Sequence, residues 1–177
     1  QLYSGAVTLT ANTTLAGSTV TNSSTVAGGG FSLAITGNSS IGGAISNTTS
    51  FSVSGTTSLG ASVTTTTGGQ TYNGGVILDA GYAVGDVVTP MTISTVDGDI
   101  TFGGTLAAGN NALSTKQSLN LNAGGTASKI TFNDTVGSLL TQNNGTYRDY
   151  LLNEGTASIY NLNVTGAKII INANITT

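Results

Sequence analysis

Asp149 and Glu154 stand five residues apart, with Tyr147, Arg148 and Tyr150 beside them. This stretch holds three of the chain's eleven charges and two of its six tyrosines, and it is the one constellation suited to acid–base work. Glycosidases use two facing carboxylates of this kind. A sugar-cleaving groove would also carry aromatics and acids on neighbouring segments, and the chain has no Trp. Tyr147, Arg148, Asp149, Tyr150 and Glu154 are therefore expected to contact a partner or ligand, and the chain is expected not to be an enzyme. Asp97-Gly98-Asp99 places two hard oxygen donors on a tight turn and is the candidate for calcium. No third acid lies close, and the spacing fits neither an EF-hand loop nor a calcium-binding nonapeptide, so a plain turn is the first expectation. Eight Asn-x-Ser/Thr triplets offer glycan acceptors, at Asn12, Asn22, Asn38, Asn47, Asn133, Asn144, Asn163 and Asn174.

What is missing narrows the chemistry further. The absence of His and Cys removes Ser-His-Asp triads, imidazole or thiolate metal sites, thiol nucleophiles and disulfides. No cofactor is expected. Four basic residues and a net charge of −3 cannot neutralise a row of phosphates, which excludes nucleic acid as a partner. No apolar run approaches the ~20 residues of a membrane-spanning helix. A basic-then-apolar leader pattern is also absent, so an exported form would have lost its signal or carry it elsewhere.

The elements that must position these residues follow from composition. Thr, Gly, Ser and Asn supply 94 of the 177 residues, and charged residues only 6%. These four types are poor helix formers, whereas Thr, Val and Ile suit pleated surfaces. Apolar and small polar residues alternate in runs such as Ala6-Val7-Thr8-Leu9-Thr10, Phe51-Ser52-Val53-Ser54 and Ile159-Tyr160-Asn161-Leu162. Gly, Asn or Ser-Thr clusters bound each run, which is the signature of short strands and turns.

Several runs repeat. Tyr3-Ser4-Gly5-Ala6-Val7-Thr8-Leu9 matches Tyr72-Asn73-Gly74-Gly75-Val76-Ile77-Leu78, and Ile100-Thr101-Phe102 matches Ile130-Thr131-Phe132. Phe31-Ser32 and Phe51-Ser52 open similar runs, and Leu119-Asn120-Leu121-Asn122 is echoed by Leu162-Asn163-Val164. A solenoid has reason to repeat its strands because every coil presents the same face to its neighbour. The intervals cluster near 20 and 30 residues. The strands at Ser118 and Ser158 are 40 apart, and a 16-residue loop at 141–156 would reduce that to 24, about one coil. The chain is expected to be a single repetitive domain over 1–177 with this loop protruding.

The strings Tyr72–Leu78, Asp99–Leu106, Leu119–Gly125 and Ala6–Gly17 resemble the repeats of filamentous-haemagglutinin-type and autotransporter-like bacterial surface exoproteins. The likeness covers residues 1–17 and 70–136, with fewer such strings in Ser18–Thr67. It implies a right-handed parallel β-helix, an extracellular, cell-surface location, and a structural or adhesive role in a fibre. Partners implied are the chain itself, head to tail or as a longer polypeptide, and host or matrix glycans or proteins. Neither Leu2–Val7 nor Ile169–Ile175 carries a Pro, a charge cluster or a helix to blunt its edge, so end-to-end β pairing is expected. The alternative is a β-sandwich, pilin-like subunit that polymerises by donating residues 1–15 to the next subunit.

Overall fold

The computed structural model describes residues 1–79, 90–108, 117–137, 141–142, 146–148 and 159–172. These form strands and no helix, in two curled sheets of eleven and nine strands that pair almost entirely in parallel. The arrangement is compatible with a β-solenoid. Most strands are only two to five residues long, because a Gly, Ser or Asn soon turns the chain.

The chain visits three rows of strands in turn, so each strand pairs with its counterpart one circuit on. In one row the inward positions are Leu15, Ile35, Val53, Tyr72, Phe102, Phe132 and Ile171. A second row stacks Val20, Ser39, Thr57, Val76, Leu106 and Val136. The third stacks Val7, Val26, Ile45, Val63, Ile93, Leu121 and Val164. The first two rows belong to one sheet because Thr13–Asn22 and Leu33–Ile41 are long enough to bend through both. Along Phe51–Val53, Thr57–Leu59, Val63–Thr65, Gln70–Tyr72, Ile100–Phe102 and Leu106–Ala108 the pattern is buried, half-buried, buried, as alternation on a pleated surface requires.

The three inward columns meet in one continuous core. Each fully buried Leu, Ile, Val or Phe contributes about 1.5–3 kcal/mol. Aromatic rings add directionality. Phe51 meets Tyr72 edge-on at 5.8 Å, while Tyr72, Phe102 and Phe132 stack at 5.3 Å with planes 7° and 6° apart. Inside this column Tyr72 Oη donates to Gln70 Oε1 at 2.8 Å, and Gln70 Nε2 donates to the carbonyls of Ser94 at 2.7 Å and Val63 at 3.2 Å. The polar pair thus ties two rows together across the core.

Glycine serves closeness more than left-handed backbone. Among the described residues only Gly29, Gly30, Gly37 and Gly125, with Asn47, have positive φ. Gly17, Gly55, Gly74 and Gly104, together with the positive-φ Gly37, stack at one corner. A Cβ on Gly74 would lie 2.5 Å from the Gly55 carbonyl carbon, and one on Gly104 would lie 2.6 Å from that of Gly74.

The circuits are not uniform in length. Val7 to Val26 is 19 residues, Leu33 to Phe51 is 18 and Thr57 to Val76 is 19. Beyond that, Val76 to Leu106 and Ile100 to Ile130 are both 30. Most of the extra residues enter at the corner leading from the second row to the third: between Leu78 and Met91, between Ala108 and Gln117, and between Val136 and Ile159. Two more enter between Ala123 and Ile130, so Ile93 to Leu121 in the third row is 28. Segment Ser18–Thr67, with the fewest family-like strings, is the most regular part.

Two repeats fall in register as read: Ile100-Thr101-Phe102 on Ile130-Thr131-Phe132, and Leu119-Asn120-Leu121 on Leu162-Asn163-Val164. Two do not. Phe51 sits on Leu33, two positions from Phe31. Tyr3 lies in the second row and Tyr72 in the first, so their shared string marks a similar corner in different places. The sandwich alternative fails because Leu2–Tyr3 pairs with Thr21–Asn22, Val7–Thr8 with Val26–Ala27, and Thr13–Leu15 with Leu33–Ile35 of the same chain. Residues 1–15 are the first circuit, with their partners already present. Within 141–156, Thr141–Gln142 and Thr146–Arg148 form antiparallel strands laid along Ile159–Gly166; its other residues lie outside those described.

Three substitutions test this packing. Gly74→Ala is expected to lose about 1–3 kcal/mol in denaturant unfolding, whereas Gly5→Ala, with nothing within 4 Å, changes little. Thr57 is fully buried and its hydroxyl has no hydrogen-bond partner among the described residues, between Ser39 below and Val76 above. Thr57→Val keeps the shape and removes the orphaned oxygen, so the unfolding free energy is expected to rise by about 1 kcal/mol.

Candidate functional site: a polar groove on one outer face

The strands Met91–Thr95, Gln117–Ala123 and Ile159–Gly166 turn Met91, Ile93, Leu119, Leu121, Leu162 and Val164 inward. Alternation then sends Thr92, Asn120 and Asn163 outward as one cross-strand row, and Ser94, Asn122 and Thr165 as the next. Thr92, Asn120, Asn122, Asn163 and Thr165, together with Leu121 and Val164, line a shallow groove of about 460 Å³. Asn163 Nδ2 donates to Asn120 Oδ1 at 3.1 Å, which fixes the two amides as a ladder. The outward side chains among them are amides or hydroxyls.

Exposure falls along the Gln117–Ala123 strand. Asn122 is exposed and Asn120 half-buried, while Ser118, the preceding outward residue, is only 4% exposed. The Ser118 hydroxyl has no hydrogen-bond partner among the described residues. A buried, unpaired hydroxyl costs about 1–3 kcal/mol. At the far side, Thr146–Arg148 pairs antiparallel with Ile159–Gly166, with Tyr147 opposite Leu162 and Arg148 opposite Asn161. The backbone of this candidate segment therefore lies at the edge of the sheet that carries the groove. Asp149, Tyr150 and Glu154 lie outside the described residues.

The Asp97–Asp99 turn has another use. Asp99 Oδ1 accepts the Lys129 backbone N–H at 2.8 Å, and Oδ2 lies 3.9 Å from Lys129 Nζ. Among the described residues no three acidic groups converge as a metal site. Asp99 joins two circuits.

Of the acceptor triplets, Asn12, Asn38, Asn47, Asn133 and Asn163 are exposed. Asn22 is buried, with Nδ2 donating to the carbonyls of Ser24 and Gly43, and the fold leaves no room for a glycan there. Asn12 and Asn38 each accept a backbone N–H from the next circuit, and Asn133 accepts from Asn172 at 2.9 Å. Asn144 and Asn174 lie outside the described residues. Alternating polar residues in the echoed Asn-rich runs were the signal for the groove; sequence reasoning read them only as strands.

A second space of about 230 Å³ opens inside the first circuits, lined by Leu9, Leu15, Val20, Val26, Leu33 and Ile35 among others. Its walls are mostly core side chains; Tyr3, Thr13 and Asn22 also line it, and their polar groups are hydrogen-bonded within the chain. No helix among the described residues is long and apolar enough to cross a membrane. No family model matches the chain, and no curated protein or solved structure does.

Burial pushes the Tyr72 phenol above its ordinary range. Its proton therefore stays on in the folded state at pH values where the unfolded chain, ionising near pH 10, releases it. The stability held by this group is fully present below pH 10 and falls above it by about 1.4 kcal/mol per pH unit. Unfolding measured from pH 8 to 12 is expected to show that slope in the parent chain and a slope smaller by this amount in Tyr72→Phe. The variant is also expected to be less stable at pH 7, since Gln70 Oε1 loses its donor.

Proposed function

We propose that the chain is a right-handed parallel β-helix serving as a non-catalytic, structural and adhesive component of an extracellular bacterial surface fibre. Handedness follows the strong rule for parallel crossover connections. The observation that carries the reading is the continuous in-register stack: apolar columns inside, hydroxyls and amides outside, and strand edges that another circuit would extend. A sparsely charged surface with such edges is a liability for an isolated particle and suits a chain that stacks.

The edges differ. Lys168 and Asn172 donate backbone N–H groups to Ser128 and Phe132. Alternation leaves those of Ile169 and Ile171 on the open edge of the strand, and their side chains, next in the inward columns after Ile130 and Phe132, are 46% and 45% exposed. In the nine-stranded sheet, Thr146–Arg148 already occupies part of the corresponding edge. End-to-end pairing, with a second copy or with further residues of the same polypeptide, would therefore run mainly through Lys168–Ile171.

Negative-stain electron microscopy of the purified chain at high concentration is expected to show linear assemblies. Ile169→Pro removes an edge N–H that the internal ladder does not use, and is expected to shorten them while unfolding shifts little. Single monodisperse particles from the parent chain would overturn the end-to-end assembly.

A further inference from the structure

We infer that the N-terminal end of the stack is a docking surface for the C-terminal end of a second copy, in a register that sets Thr13 on Ile169 and Leu15 on Ile171. This rests on the end-to-end assembly proposed above and names its partner and register. The order of the rows fits such a joint. Leu2–Tyr3 pairs with Thr21–Asn22 in the second row, Val7–Thr8 follows in the third, and Thr13–Leu15 in the first. At the other end, Val136 closes the second row among the described residues, Ile159–Gly166 the third and Lys168–Ile171 the first. One end therefore opens on the row that comes after the last row of the other, so a second copy continues the spiral in all three. The occupied edge fits as well. Thr146–Arg148 pairs with Asn161 and Leu162. The third row's register carries Val7–Thr8 of the next copy onto Val164–Thr165, just past that pairing, and a two-residue strand needs no more.

Side chains, backbone and charge agree with this register. Ile169 and Ile171 are exposed, whereas Ile130 and Phe132, their counterparts one circuit earlier, are buried. Thr13 and Leu15 are half-buried and wall the apolar space of the first circuits. The joint covers all four, which gives it an apolar centre. In the first row, inward residues donate their N–H groups to the following circuit: Thr13 to Ser32 at 2.9 Å, Leu33 to Ser50 at 3.0 Å and Phe51 to Gly69 at 3.2 Å. The same pattern directs the Ile169 N–H to the Asn12 carbonyl of the next copy and the Ile171 N–H to that of Thr14. Residues 1–78 carry no charged side chain. Lys168, which already follows Lys129 in its column, therefore meets Asn12 and no further cation. Two C-terminal ends would instead bring two Lys168 edges together, and like charges side by side oppose pairing.

The test exploits the absence of Cys, because introduced thiols can bridge only to one another. Thr14 and Ile170 point outward at opposite ends, six circuits and roughly 29 Å apart, so no bridge forms within one copy. Across the joint their Cα atoms lie roughly 4.8 Å apart, inside the span of a disulfide. The single variants Thr14→Cys and Ile170→Cys of the full chain are mixed at high concentration under mild oxidation, and bridged peptides are mapped by mass spectrometry. A parallel mixture pairs Thr14→Cys with Asn172→Cys. The 14–170 bridge is expected to exceed the 14–172 bridge about fivefold, since a two-residue slip puts the Cα atoms roughly 7–8 Å apart. Unfolding midpoints matching the parent show that each variant keeps its fold. Homodimers of either variant as the main product, or an equal yield of the 14–172 bridge, overturns the joint. So does the absence of any bridge where electron microscopy shows linear assemblies, and the fibre reading then stands without this register. Absence of both bridges and assemblies overturns both.

Discussion

A parallel strand pair sets each residue beside its counterpart one circuit on, roughly 4.8 Å away, and this spacing governs which side chains the chain can use. Inward neighbours must fit one another in size, so Val, Ile and Leu follow Val, Ile and Leu, and Tyr72 lies flat on Phe102. Outward neighbours must tolerate contact with their own kind. Two like charges at that distance repel by about 1 kcal/mol even in water, a penalty that a long stack would multiply. Hydroxyls and amides carry no such cost, and Asn can hydrogen-bond to Asn, as at Asn133–Asn172 and Asn120–Asn163. Among the described residues the one ion pair between circuits joins opposite signs, Asp99 and Lys129. Scarcity of charge is thus a consequence of the stacking.

How much of this was legible follows from the same constraint. Where two circuits carry the same residues at the same interval, as at Ile100–Phe102 and Ile130–Phe132, the sequence states its own register. Where the stack needs only similar volume, it does not. Val53 beneath Tyr72 and Phe51 beneath Gln70 share no residue type, and nothing local reveals the pairing. The string shared by Tyr3 and Tyr72 encodes strand, corner and strand, but every corner is built that way, so it could not say which. Glycine was ambiguous for a related reason. Composition suggests corners of positive φ, whereas the Gly17–Gly104 column answers to the closeness of successive backbones, a property of the stack that no single turn displays. The groove was hidden because its residues come from three strands separated by 28 and 43 residues, from Thr92 to Asn120 to Asn163.

The change from circuits of 18–20 residues to circuits of 30 leaves the register intact. Val76 to Leu106 in one row and Ile100 to Ile130 in another lengthen by the same amount, so the added residues lie outside all three rows. Loop closure grows slowly with length, and a doubled insertion costs only about 0.6 kcal/mol more. A solenoid can therefore accept insertions at a corner without disturbing its core. Placing most of them on successive circuits at the same corner keeps the corner between the first and second rows free for the close glycine contacts.

The two sheets meet different fates at the same level of the stack. Antiparallel Thr146–Arg148 takes hydrogen-bonding groups of Ile159–Gly166 that a further parallel circuit would need. The sheet of Lys168–Ile171 keeps its edge, backed by the column of Ile100, Ile130 and Ile169. The polar rows Thr92–Asn120–Asn163 and Ser94–Asn122–Thr165 lie on the sheet that is partly closed, facing away from the core. Among the described residues, a further parallel circuit would therefore meet an open edge in one sheet and a partly occupied edge in the other, with the outward polar rows blocking neither.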